Sequence, residues 1–153
     1  MNKPALQPSL KGRALRLLSQ REHSRLELER KLAEHETEPG QLAKALDELQ
    51  ARGFISEERV IESVIHRRAG KLGTARVRQE LAAKGLSGEA VAEAMEQLRG
   101  SELARAREVW SRKFGAPATD PKEKARQIRF LVSRGFAAEV VRRVVQGAGD
   151  EQT

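Results

Sequence analysis

Arg67, Arg68, Lys71, Arg76 and Arg78 fall within residues 63–79, and Lys3, Lys11, Arg13, Arg16 and Arg21 fall within residues 1–21; neither window contains an acid. Guanidinium and ammonium groups gathered in this way can neutralise phosphates or an acidic protein surface. A charge run is either a solvated helix face or a face turned to a partner. Two acid-free windows in a chain otherwise rich in glutamate favour an anionic partner, and the net charge of +7 points the same way. Arg67, Arg68, Lys71, Arg76 and Arg78 form the first expected contact set, and Arg13, Arg16 and Arg21 the second.

No catalytic constellation competes with this reading. His23, His35 and His66 lack metal-ligand spacing, and no carboxylate pair stands out: Asp120 is explained by helix capping, Asp47 falls on a polar helix face and Asp150 sits near the end of the chain. Glycines never form the phosphate-cradling pattern that ends in Gly-Lys-Ser/Thr. The sequence therefore predicts a non-enzyme without metal or cofactor. With no cysteine there are no disulfides or thiolate metal sites. No apolar run approaches the length of a bilayer span, and Met1–Gln7 lacks the apolar core of a secretion signal, so a cytoplasmic protein without membrane contact is expected.

The elements that must carry these cations are helices. Leu10, Ala14, Leu15, Leu17 and Leu18 make the stripe of a first helix, and Ser24 with Glu27 forms a capping box for a second. A third carries Leu42, Ala45, Leu46 and Leu49 to a stop at Gly53. Ser56 starts a fourth through Val60, Ile61, Val64 and Ile65. It runs into Gly70-Lys71-Leu72-Gly73, where two glycines break the helix and leave room for a partner's close approach. Thr74 restarts a fifth helix, which stops at Gly85, and Ser87 is the expected cap of a sixth. A seventh presents Leu103, Ala106, Val109, Trp110 and Phe114. Asp120-Pro121 opens the eighth, and a ninth with Val140, Val141, Val144 and Val145 fades beyond Gln146.

The stop Leu81-Ala82-Ala83-Lys84-Gly85-Leu86 recurs as Leu131-Val132-Ser133-Arg134-Gly135-Phe136, about fifty residues later. A related stop, Leu49-Gln50-Ala51-Arg52-Gly53-Phe54, closes the first three helices. The fold class expected is all-α: three tandem three-helix repeats at 10–55, 56–100 and 101–146, with flexible segments at 1–9 and 147–153. Helices this short are unstable alone, so neighbouring repeats should lean on one another in an elongated body, straight or curved. Phe54, Phe130, Phe136, Trp110 and Phe114 fall at core or cap positions rather than on a stacking surface, so any DNA contact should be phosphate neutralisation with little sequence preference.

One set of strings resembles a known family. Ala14-Leu15-Arg16-Leu17-Leu18 with Arg21, Ser24, Glu27-Leu28 and Lys31-Leu32 comes first, followed by Gly53-Phe54-Ile55. Arg76-Val77-Arg78-Gln79-Glu80-Leu81 with Lys84-Gly85-Leu86 follows, and Arg129-Phe130-Leu131 with Arg134-Gly135-Phe136 comes last. In this order they resemble the RecX family of bacterial recombinase regulators over roughly residues 10–146. Where that family often has Gly-Tyr-Leu-Asp-Asp, this chain has Gly53-Phe54-Ile55-Ser56-Glu57, which keeps capping and core character but lacks the tyrosine hydroxyl.

The resemblance implies a protein that binds the RecA recombinase and its filament on single-stranded DNA, blocks filament extension, and depresses ATPase and strand exchange in recombination and DNA repair; a monomer is expected. A stand-alone helical DNA-binding protein, a repressor or an architectural protein, is the alternative. Against it, no helix carries the Asn, Gln and Arg face of base readout.

Overall fold

The computed structural model describes residues 7–150, with side chains to residue 147. Among the described residues there are nine α-helices and no strand: α1 Leu10–Gln20, α2 Arg25–Leu32, α3 Gln41–Ala51, α4 Glu57–Arg68, α5 Thr74–Ala83, α6 Glu89–Arg99, α7 Glu102–Lys113, α8 Pro121–Ser133 and α9 Ala138–Asp150. A short 3-10 turn, Ala33–His35, extends α2. The all-α class and the helix count follow the expectation. Helix α9 carries helical backbone to Asp150, past the expected end at 146, with Gly147 accommodated inside it. Residues 1–6 of the expected flexible start, and 151–153 of the expected tail, lie outside the described residues.

The chain divides into two compact units. One contains residues up to Val60 together with Lys84–Leu86; the other contains Ile61–Ala83 and the residues from Ser87 onward.

In the first unit α1, α2 and α3 pack pairwise. Their apolar stripes close a core of Ala14, Leu28, Leu32, Leu42, Leu46, Leu49 and Ile55. The Ser24–Glu27 capping box forms as expected: the Ser24 hydroxyl accepts from the Glu27 N–H, and the Glu27 carboxylate accepts from the Ser24 N–H at 3.1 Å. The Ser24 hydroxyl also donates to the Lys84 carbonyl at 2.7 Å. Lys84 Nζ lies 3.3 Å from Glu27.

In the second unit α5 packs on α6, α6 on α7, and α7, α8 and α9 on one another. Ala106, Val109, Leu131, Phe136, Val141, Val144 and Val145 form the core of the last three helices. Asp120 caps α8 by accepting from the Glu123 N–H at 2.7 Å, with Pro121 at the first helical position. The recurrent stop has its expected form. The Phe136 N–H donates to the Leu131 carbonyl at 3.3 Å and the Gly135 N–H to Val132 at 2.9 Å, with Gly135 at φ +91. The same wiring at Leu49 and Phe54 ends α3.

Three expectations fail locally. Ser87 does not cap α6; Gly88 does, at φ 101 and ψ −162 and without a side-chain bond, because the chain turns one residue later through a conformation that only glycine enters readily. Gly73 leaves no room for a partner: a Cβ there would lie 2.3 Å from the Gly135 carbonyl atoms, so the close approach is the chain's own. Phe54 occupies a cap position but is 45% exposed.

His23 and Glu27 give the first unit a legible pH response. His23 is 1% exposed; its Nδ1 lies 3.0 Å from the Arg21 carbonyl and its Nε2 3.1 Å from Lys31 Nζ. Burial lowers its pKa from the ordinary 6.5, and the charges of Arg21 and Lys31 add to that, against the Arg21 carbonyl bond and Glu27. Burial pushes the Glu27 carboxyl up, but the bonds from Arg21 and the Ser24 N–H and the charge of Lys84 together outweigh it and bring it down to about 2.

Below pH 6.5 the unfolded chain protonates His23 more readily than the folded one, and below 4.5 it protonates Glu27 more readily. Each therefore contributes stability that is complete above its ordinary value and is lost as pH falls. Thermal melts from pH 8 to 3 should show two successive declines, the first starting near 6.5 and the second near 4.5. His23→Gln should remove the upper decline and leave the lower.

Candidate anion-binding surfaces

In the first unit the expected cations separate into engaged and available groups. Arg21 is held at home: Nη2 lies 2.8 Å from Glu27 and Nη1 donates to the Glu22 carbonyl at 2.8 Å. Lys11, also in that window, pairs with Glu48 at 2.7 Å. Arg13 donates to the Gln7 side chain at 3.2 Å, a neutral acceptor, and Arg16 has no ion-pair partner among the described residues. Arg13 and Arg16 share a cleft of about 380 Å³ with Lys31, His35 and Gln20, and no carboxylate lines it. Helix α1 sets Arg13 and Arg16 three residues apart on one face, and the end of α2 brings Lys31 opposite.

In the second unit the five cations do not act as one group. Arg68 Nε lies 3.0 Å from Glu80 and Arg67 Nη2 lies 3.9 Å from the same carboxylate, with both arginine side chains over 40% exposed. Exposed pairs of this kind add little stability, but they halve the charge that the α4 end presents. Arg76 and Arg78 line a different cleft, of about 560 Å³, with Arg99, the buried Glu102 and the exposed Val132. There Arg76 Nη1 donates to the Ser133 carbonyl at 2.7 Å, and Arg78 is exposed without a partner among the described residues.

Lys71 enters a third cleft, of about 330 Å³, whose other polar lining is Arg112, Lys113 and Arg134. Sequence reading missed those three. They lie outside both acid-free windows and meet Lys71 only when α7 and the end of α8 fold against the α4–α5 loop.

That loop is fixed by distant groups. The Gly73 N–H donates to the Arg134 carbonyl at 2.8 Å, and the buried Glu102 carboxylate accepts from the Thr74 N–H at 2.8 Å, capping α5 from another helix. Arg105 on α7 is half-buried and donates from all its nitrogens. Nη1 reaches the carbonyls of Ala69 at 2.9 Å and Leu72 at 2.6 Å. Nη2 reaches the Thr74 hydroxyl and the Leu98 carbonyl at 3.2 Å each, and Nε the Ser101 hydroxyl at 3.0 Å. Burial lowers the Arg105 pKa, opposed by the Glu102 charge.

Comparison with known proteins identifies the family. Models described as the first, second and third three-helix domains of RecX match residues 11–49, 56–95 and 101–145. The chain is 55% identical to the regulatory protein RecX of Leptothrix cholodnii over 98% of its own length and 94% of the relative's. It is 51% identical to that of Ralstonia nicotianae over 92% and 88%.

The chain belongs to the RecX family.

Two solved RecX structures share the fold. One, described as regulatory protein RecX, gives a TM-score of 0.74 at 19% identity over 90% of this chain and 71% of that one. RecX from Lactobacillus salivarius gives 0.71 at 17% identity over 92% and 94%. Three of the strings that carried the RecX resemblance hold scaffold: Ser24 and Glu27 cap α2, Lys84-Gly85 docks on it, and Gly135-Phe136 closes α8 against the loop at Gly73. A Cβ at Gly85 would lie 2.8 Å from Leu26, so that position too is fixed by packing as well as by φ +79. Among the described residues no cluster of His, Asp and Glu could hold a metal ion, and no helix is long and apolar enough to cross a membrane.

Proposed function

We propose that this chain is a non-catalytic negative regulator of homologous recombination. It binds the RecA recombinase and its filament on single-stranded DNA, acts as a monomer in the cytoplasm, and blocks filament extension, so that ATPase and strand exchange fall. Membership of a family whose members are named regulatory proteins supports a regulatory role. The observation that carries the physical part is a pair of clefts, one in each unit, lined by arginine and lysine side chains and by no carboxylate. Several separate weak contacts to one polymer add through effective concentration, and cationic contacts speed encounter while making binding salt-sensitive.

The test adds the purified chain to recombinase growing on single-stranded DNA and follows ATPase and co-sedimentation together. Substoichiometric inhibition with pelleting is the expected result, weaker at higher salt. Lys71→Ala with Arg78→Ala, which breaks no ion pair among the described residues, should weaken inhibition while the helical content stays unchanged. Absence of inhibition at equimolar chain would overturn this reading, and tight binding to one duplex sequence without any effect on the recombinase would replace it with the stand-alone DNA-binding one.

A further inference from the structure

Three of the four cations around the 330 Å³ cleft of the second unit have a side-chain contact, and the fourth, Lys71, sits on a braced loop. Arg112 Nη2 donates to the Gly70 carbonyl at 2.5 Å. Lys113 Nζ stands 5.3 Å, and Arg134 Cζ 4.8 Å, from the centroid of the Phe130 ring. Phe130 is itself set edge-on against Phe114, with centroids 5.5 Å apart and an interplanar angle of 87°. Lys71 sits on the loop whose flanking carbonyls, Ala69 and Leu72, are clamped by Arg105. Four positive groups thus converge in a cleft that no carboxylate lines, with Val109 and Phe130 as its apolar wall. Held together without an anion they repel one another, and the contacts of Arg112, Lys113 and Arg134 restrain those three side chains before any ligand arrives, which lowers the ordering cost of binding one.

Four cationic groups exceed what a single side-chain carboxylate can accept, whereas successive phosphates offer several charged oxygens to such donors. The apolar wall suits sugar edges between phosphates, and the volume lies at the small end of clefts that hold ligands. We infer that this cleft is a phosphodiester-binding site for single-stranded nucleic acid, with Phe130 as the positioning residue that aims Lys113 and Arg134. The inference rests on the filament-inhibitor reading for its biological setting, and deepens it by naming the DNA contact.

The experiment compares the full chain, the cleft variant Lys71→Gln/Lys113→Gln/Arg134→Gln, and a charge-matched variant Lys44→Gln/Lys122→Gln/Lys124→Gln at exposed positions elsewhere. Phe130→Leu completes the set, keeping the net charge. A fluorescent oligothymidylate 20-mer and a poly-glutamate peptide serve as probes at two salt concentrations, with recombinase ATPase measured on the same preparations.

The cleft variant should bind oligothymidylate about tenfold more weakly, with a salt slope shallower by about 0.7 for each phosphate no longer neutralised, and the charge-matched variant should change much less. Phe130→Leu, folded, should weaken oligothymidylate binding at unchanged charge. Equal losses in the two triple variants, no binding by the native chain, or a loss confined to poly-glutamate would overturn the site. Unchanged binding by folded Phe130→Leu would overturn the positioning role. If Phe130→Leu does not fold, the triple variants decide the site and Phe130→Tyr, which keeps the ring, must bind like the native chain. Inhibition retained alongside a failed cleft leaves the filament reading standing, and inhibition absent from the native chain fails that reading by itself.

Discussion

Gly73→Ala is expected to destabilise the second unit by about 3–5 kcal/mol, the range reached when a substitution forces backbone apart rather than displacing a mobile side chain. The new Cβ would lie 2.3 Å from the Gly135 carbonyl carbon and oxygen and 2.4 Å from the Phe136 nitrogen. None of these can rotate away. The opposing turn is held by its own bonds to Leu131 and Val132, and Gly135 is in turn pressed by Arg76, whose Cγ would lie 2.2 Å from a Cβ at that position. Relief requires the α4–α5 loop to lift, which breaks the Gly73 N–H bond to Arg134 and strains the Glu102 cap on Thr74.

Gly70→Ala is the matched control, because a Cβ there meets nothing within 4 Å. It should change stability by no more than about 0.5 kcal/mol. The single tryptophan, Trp110, bonds to Gln127 at 2.9 Å in this unit and reports its unfolding by fluorescence in urea. A Gly73→Ala unfolding free energy within about 1 kcal/mol of the native chain's would mean that the glycine crossing does not hold the loop.

The contrast between those two glycines shows what sequence could disclose. Both break the helix after Arg68, and local rules treat them alike. What separates them is the approach of Gly135, sixty-two positions along, and no spacing rule links residues that far apart. Legible features are local in origin. The stop at Gly135 is written within Leu131 to Phe136, the α2 cap within Ser24 to Glu27, and the α8 start within Asp120 and Pro121. Ser87 shows the limit even there, since glycine at position 88 could turn the chain one residue later and take the cap position itself.

The candidate site is legible only as charge, not as geometry. An acid-free window contains Lys71, yet cannot tell that the nearby Arg68 answers Glu80 while Lys71 joins Arg112, Lys113 and Arg134. Arg21 misleads in the same way, because its partner Glu27 is also the capping residue and lies just beyond the window's edge. A signal does exist in the repeat itself. The stop that ends α8 carries Arg134 beside its glycine, as the stop that ends α5 carries Lys84, so a cation is delivered wherever that turn docks. Lys84 docks on Glu27 and is neutralised, whereas the Arg134 side chain enters a cleft that no acid lines.

Arg105→Met is the second large effect, expected at about 3 kcal/mol, and it links stability to the binding surface. Removal of the guanidinium leaves the carbonyls of Ala69 and Leu72 and the Thr74 hydroxyl without that donor, while the Leu98 carbonyl keeps the Ser101 N–H and hydroxyl. A bond to a charged donor contributes about 1.5–3 kcal/mol when buried, and the orphaned acceptors add desolvation cost. Half-exposure lets water recover part of this, so the bonds do not sum.

Arg105→Lys should recover little. An ammonium has three donors on a flexible stem and cannot span carbonyls that a planar fork reaches on both sides. Because Ala69 and Leu72 flank Lys71, loosening them should weaken oligothymidylate binding through a residue that lines none of that cleft. Amide exchange offers the direct readout: the Gly73 and Thr74 N–H groups should lose protection in both variants while the α1–α3 core amides keep theirs. Native-like protection at those two amides, together with an unfolding free energy in urea within about 1 kcal/mol of the native chain's, would show that the loop is held by the glycine crossing alone and that Arg105 merely fills space.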